Sequence, residues 1–230
     1  MTRHMLAAFA CLLSLTVARA GTVQVTVTDL EGRPVPDVVV LVEPAGKVAP
    51  RPADKPVLIA QERLHFVPFL TVVPVGSTLR FSNHDGYDHH VRSTPSGPLG
   101  SMPAAKDFEL RLDAAEGAAG ADEYRATASA HKKAGTTWAD VKVDKAGPIG
   151  LACHLHSSMR GQVYVSGTPW FAKTDANGVA TIDAVPEGTA ELRLWHPDQL
   201  QDQATQHLQL TAAPMKTDAQ LNFTPRRRRS

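Results

Sequence analysis

The chain has 230 residues, with 24 Lys and Arg against 23 Asp and Glu, and 43% of its residues are hydrophobic. A net charge of +1 excludes the broadly basic footprint of a nucleic-acid binder. The length allows one large or two small packed domains.

In chain order, the first residues are a short polar start carrying Arg3, then the apolar run "MLAAFACLLSLTV", then "ARA" ending at Ala20. A charged start, a short apolar core and a small-x-small end predict a secretory signal, residues 1–20, cleaved near Ala20. The run is about 13 residues, short of the roughly 20 that a spanning helix needs. No later stretch is apolar enough to span a bilayer. The expected location is therefore the periplasm, without stable membrane insertion after cleavage. Cys11 leaves with the signal and has no small-residue lipobox before it, so Cys153 remains as a lone exported thiol. Such a thiol is prone to oxidation unless something holds it, and a metal would.

"TVQVTVTD" puts Val23, Val25 and Val27 on one face of a strand, and "VVVLVEP" (38–44) reads as a buried strand. A Pro-rich linker fills 45–57. "RLHFVPFLTVVPVGSTLRFSNHD" gives two or three strands broken at Pro68, Pro74 and Gly76. "HHVRS" and "FELRL" are further strands. Residues 113–137 turn rich in Ala, Gly and charge, as either a surface loop or a short helix. "ADVKVDKAGPIGLACHLH" returns to β character, with Ile149, Leu151 and Cys153 facing one way, and "RGQVYVSG" follows. "FAKTDANGVATIDAVPEGTAELRLWHP" carries a β-hairpin signature, with Gly178 of "DANG" at a positive-φ position. The "RRRR" at 226–229 reads as a solvated tail of like charge. The mature chain is all-β, built of short antiparallel strands.

The chemistry gathers at "CHLHSSM". Cys153, His156 and Met159 are each separated by two residues, so a thiolate, an imidazole and a thioether can converge on one ion from a tight loop. Thiolate and thioether favour copper(I), and imidazole accepts both copper states; a cysteine and two histidines with a weak axial methionine form a blue-copper electron-transfer site. Zinc also takes Cys and His, but the methionine argues against it. The missing histidine comes from "NHDGYDHHVRS". His89 and His90 are adjacent, so in a strand only one faces the core. Val91 is apolar and points inward, and His89 shares its face at two-residue spacing. His89 is thus the expected fourth ligand and His90 points away. His84 and His154 read as exposed polar neighbours, and His65, His131, His196 and His207 as ordinary surface or core residues.

"NHDGYDHHV" followed by "CHLHSSM" resembles the two ligand segments of the cupredoxins, the plastocyanin and amicyanin family. The Cys-x2-His-x2-Met loop is similar to that of amicyanin. The resemblance covers roughly 59–168 and implies a Greek-key β-sandwich holding one type 1 copper ion on His89, Cys153, His156 and Met159. It departs at His90, where the family has an Asn that ties the ligand loops together. The flanks, "VTVTDLEGRPVPDVVVLVEP" and "FAKTDANGVATIDAVPEGTAELRLWHP", resemble the two halves of a carboxypeptidase-regulatory-like, transthyretin-like sandwich. The implied organisation is a discontinuous flanking domain (21–58 and 169–212), a cupredoxin domain (59–168) inserted in it, and a flexible basic tail (213–230). The whole is similar to exported plastocyanin-like proteins of the methylamine-utilisation type.

These readings lead to a periplasmic electron carrier rather than an enzyme. The resemblance places His156 near the surface, facing a redox partner through a small, transient interface, with Leu155, Ser157 and Met102 as a contact patch. The alternative is a periplasmic copper-binding and delivery protein, motivated by the extra histidines at 84, 90 and 154.

Overall fold

The computed structural model describes residues 20–117 and 136–226. Residues 1–19 of the expected signal peptide, most of the Ala/Gly-rich stretch with His131, and Arg227–Arg229 lie outside the described residues. The described chain is almost wholly β, with four sheets and a single short 3-10 turn at Pro98–Gly100. Among the described residues no helix is long and apolar enough to cross a membrane.

Two sheets come from the flanks. In the first, β1 (Ala20–Thr28) lies between β13 (Val179–Pro186), antiparallel, and β16 (Met215–Gln220), parallel. The second runs β12 (Phe171–Lys173), β2 (Val39–Pro44), β14 (Gly188–Trp195), β15 (Gln206–Leu210). Their facing sides form an aliphatic core in which Val23, Val25 and Val27 meet Val40, Val42 and Leu192. Alternate residues of a strand point to opposite faces, so the expected valine stripe of β1 is the buried one.

The other two sheets come from the centre of the chain. The larger runs β5 (Leu70–Pro74), β11 (Arg160–Ser166), β10 (Gly147–Cys153), β7 (His89–Thr94), β8 (Glu109–Leu112). The smaller runs β4 (His65–Val67), β3 (Val57–Glu62), β6 (Thr78–Asn83), β9 (Trp138–Lys142). Between them lie Ile59, Phe81, Val91, Ile149, Leu151, Cys153, Met159 and Val163. Gly161 is required here: a Cβ on it would sit 2.9 Å from the Phe66 Cβ, so β4 can cross closely over the start of β11.

The two sheet pairs meet face to face. Val39 and Leu41 of β2 and Trp195 of β14 pack on Leu70 and Val72 of β5 and Tyr164 of β11. This explains the unbroken apolar run 38–42: β2 is buried on both faces, as strands in the middle of layered sheets are.

Two expectations need correction. The "DANG" and "PEG" turns do not close hairpins. Gly178 has the expected positive φ of 72°, but β12 pairs with β2 while β13 pairs with β1, so the turn carries the chain from one sheet to the other. The "PEG" turn does the same between β13 and β14. Residues 213–226 are also not a flexible tail. β16 runs parallel to β1 over Val23–Thr28, and Ala219 and Leu221 are buried in the flanking core.

Candidate metal centre

The centre sits where β7 and β10 lie side by side, with Cys153 opposite Val91. His89 and Val91 share the core-facing side of β7, at 1% and 0% exposure. His90 points the other way, as expected, but is itself buried: its imidazole lies against the Glu109 carboxylate of β8 and edge-on to the His154 ring, 5.5 Å between centroids. On β10, Ile149, Leu151 and Cys153 face the core together. Ala152 pairs with Arg160, so the ligand loop is simply the connection between β10 and β11. The His154 N–H donates to the His90 carbonyl at 2.8 Å, and the Met159 N–H to the His156 carbonyl at 3.0 Å. These two bonds hold the loop tight against β7.

Three donors converge. Cys153 Sγ lies 3.6 Å from His89 Nδ1 and 3.6 Å from His156 Nδ1, and the two Nδ1 atoms are 3.1 Å apart. Bonds of about 2.0–2.1 Å to nitrogen and about 2.3 Å to sulfur, at angles of roughly 100–120°, put neighbouring donors about 3.1–3.8 Å apart around one ion. The triangle is therefore the size that a single ion of this type fills. Donor identity and spacing both fit a transition metal. Burial pushes the Cys153 thiol up, but bonds from the His89 ring, the His90 main chain and the His156 ring and amide outweigh it, bringing it from 9.0 down to about 6. The thiolate, the form that ligates metal, is thus favoured near neutral pH.

Met159 is 1% exposed and belongs to the same core cluster as Cys153. His156 is the member of the triangle that reaches the surface, being half-buried where His89 and Cys153 are buried. Its ring meets the edge of Tyr87 at 6.0 Å. Beside it Leu155 is 55% exposed and Ser157 is exposed. Met102 is not part of that patch: its sulfur accepts the Trp195 indole N–H at 3.3 Å, between the two sheet pairs. His84 and His154 are exposed, as expected. His65 and His207 are exposed too, and His196 is buried.

Sequence reasoning missed the support behind His89. Its Nε2 donates to Asp85 Oδ2 at 3.0 Å, with both side chains buried. The Asp85 carboxylate also accepts the main-chain N–H of Arg63 (2.5 Å) and Leu64 (3.0 Å). Asn83 Oδ1 accepts the Asp85 N–H, and Asn83 Nδ2 donates to the carbonyls of Tyr87 and Asp113. The loop 84–88 is thus pinned from both sides. Arg63 and Leu64 form the two-residue turn between β3 and β4, with φ of 51° and 63°. Left-handed backbone costs a non-glycine residue about 1–2 kcal/mol. The one available signal was an Asp four residues before His89.

No protein-family model matches the chain, and no curated protein does. Solved structures give partial likenesses. A purple cupredoxin from Nitrosopumilus maritimus is 17% identical with a TM-score of 0.33, over 49% of this chain and all of that one. A reduced variant of amicyanin is 16% identical with a TM-score of 0.33, over 54% of this chain and 98% of that one. A copper-containing nitrite reductase from Thermus scotoductus SA-01 is 19% identical with a TM-score of 0.35, over 54% of this chain and 25% of that one. What this chain is similar to in structure is therefore cupredoxin proteins and domains, at low identity and over about half its length.

Proposed function

We propose that the chain is an exported copper protein that passes single electrons between redox partners. The observation that carries this reading is the closed triangle of Cys153 Sγ, His89 Nδ1 and His156 Nδ1, backed by a buried Met159. One thiolate, two imidazoles and a thioether are the donor set of a blue-copper site, in which the ion supplies the one-electron couple. Cys153, His89 and His156 would hold the ion, with Met159 beside them as a weaker thioether donor. His89 and Cys153 are fixed on paired strands, so the site can accept and release charge with little movement. The half-buried His156, with exposed Leu155 beside it, offers the shortest way out for an electron and a small surface for a transient partner. The flanking sheets fit a transthyretin-like module that carries the copper module.

The test is the visible spectrum of the copper-loaded protein. An intense band toward the red, lost in Cys153→Ser, supports the reading; a colourless copper(II) complex overturns it. One observation favours copper delivery instead: His84 is exposed on the loop that leads into β7, and His154 on the loop between Cys153 and His156. Rapid loss of copper(I) to a chelator or apo-acceptor would support that second reading, and retention in both oxidation states would exclude it.

A further inference from the structure

We infer that Asp85 is a positioning residue for the metal: it fixes His89 as the Nε2–H form so that Nδ1 is the donor, and its charge biases the centre toward the higher oxidation state. The inference rests on the metal-site reading above, and it starts from the carboxylate's surroundings.

Imidazole has two nitrogens, and the one that ligates is set by what the other is doing. At His89 the far nitrogen faces Asp85 Oδ2 at 3.0 Å, and the near one faces Cys153 and His156. A carboxylate accepts and does not donate, so a proton is held on Nε2, and the proton that the ring lends to Cys153 from Nδ1 is the one an ion displaces. The carboxylate is itself held. Two consecutive main-chain N–H groups, of Arg63 and Leu64, converge on it, which is the backbone arrangement that binds anions. Those residues occupy a two-residue hairpin turn whose preferred sequence is Asn-Gly, yet here both carry full side chains at positive φ. An unfavourable turn is thus retained with its amides pointing at Asp85. Asn83 and the Ala115 N–H, which donates to the Asp85 carbonyl at 2.9 Å, fix the rest of the residue. The buried negative charge one imidazole away from the ion makes the more positive metal state the better-matched one, so Asp85 lowers the reduction potential.

The first measurement needs no metal and no variant. Long-range 15N–1H NMR on the reduced apo-protein should show His89 protonated at Nε2; a ring protonated only at Nδ1 overturns the inference. The second uses Asp85→Asn and Asp85→Ala, with folding checked by thermal melting, titrated with cobalt(II) and copper(II) against a competing chelator. We expect a 10–100-fold loss of affinity, the usual effect of removing a carboxylate behind a ligand histidine, and a higher copper potential in Asp85→Asn. Unchanged affinity and potential in a folded variant overturn it. The two readings fail separately. If copper gives no red band but cobalt(II) affinity falls on substitution, the electron-transfer reading fails and the role of Asp85 stands. If the band is present and both substitutions are silent, Asp85 alone is misassigned.

Discussion

The two sheet pairs are built alike and differ at one end. The flanking core is valine, leucine, isoleucine and alanine throughout, and the buried polar groups near it, such as Thr174 and Asp29, close turns: Thr174 binds Val35 and Val38, and Asp29 binds Glu31 and Arg33. The central core is also apolar for most of its depth, with Phe66 and Phe81 among its aliphatic residues, but where β7 and β10 meet it is invaded by His89, Cys153 and Met159, with Asp85 and Asn83 behind them. Strand alternation supplies an inward position every second residue whatever the side chain is. Chemistry therefore needs no new scaffold, only reactive residues at the last inward positions of neighbouring strands.

That contrast can be tested from both sides. The largest effect should come from Cys153→Ser, which removes the thiolate and with it the red absorption band and most of the copper affinity, read by spectrophotometry and metal analysis. Leu192→Ala in the flanking core should cost about 2–5 kcal/mol of stability, measured by denaturant titration, while leaving the copper spectrum where it was. A shifted spectrum would show that the two cores are not chemically separate. The Cys153 thiol is held below its ordinary value, at about 6 rather than 9.0. Its contribution to the stability of the apo-protein is therefore complete above the unfolded value and is lost as pH falls toward 6. The stability difference between wild type and Cys153→Ser, measured without metal and under reducing conditions, should grow by at most about 1.4 kcal/mol per pH unit across that window. Met159→Leu keeps the volume and should cost less than about 1.5 kcal/mol, yet it should raise the copper potential by removing the thioether donor. The smallest effect is expected at Gln61, whose amide is fully buried with neither polar atom partnered. Gln61→Met should be neutral or stabilising by up to about 1 kcal/mol in a thermal melt, since it removes an unpaired polar group from the core.

Much of this was legible in the sequence because the signals were local and redundant. Val23, Val25 and Val27 alternate, and Ile149, Leu151 and Cys153 do too. His89 was separable from His90 because Val91 marked the inward face. Other features left weaker traces. β16 buries only Ala219 fully along its length, and its partner β1 lies at the other end of the chain, so "MKTDAQ" carries almost no apolar period. The "DANG" turn has the same residues whether the next strand joins the same sheet or crosses to the other. Asp85 was hidden for a different reason: Asp is common in loops, and only its reach to His89 Nε2 distinguishes it.

The double-sided burial of β2 has a further consequence. Val40 and Val42 belong to the flanking core, while Val39 and Leu41, one residue away on the same strand, are covered by Leu70, Val72 and Tyr164 of the central half. The chain leaves this sheet after Pro44 and returns where the Thr168 hydroxyl donates to the Val42 carbonyl at 2.9 Å, so departure and return are fastened together like the two ends of a clasp. Cutting out the intervening segment and joining the ends would keep the clasp and strip the roof. Val39, Leu41 and Trp195 would then form a bare oily face, and such faces drive association. The central half is thus the cover of that face, with Val39, Leu41 and Trp195 on one side of the shared surface and Leu70, Val72 and Tyr164 on the other.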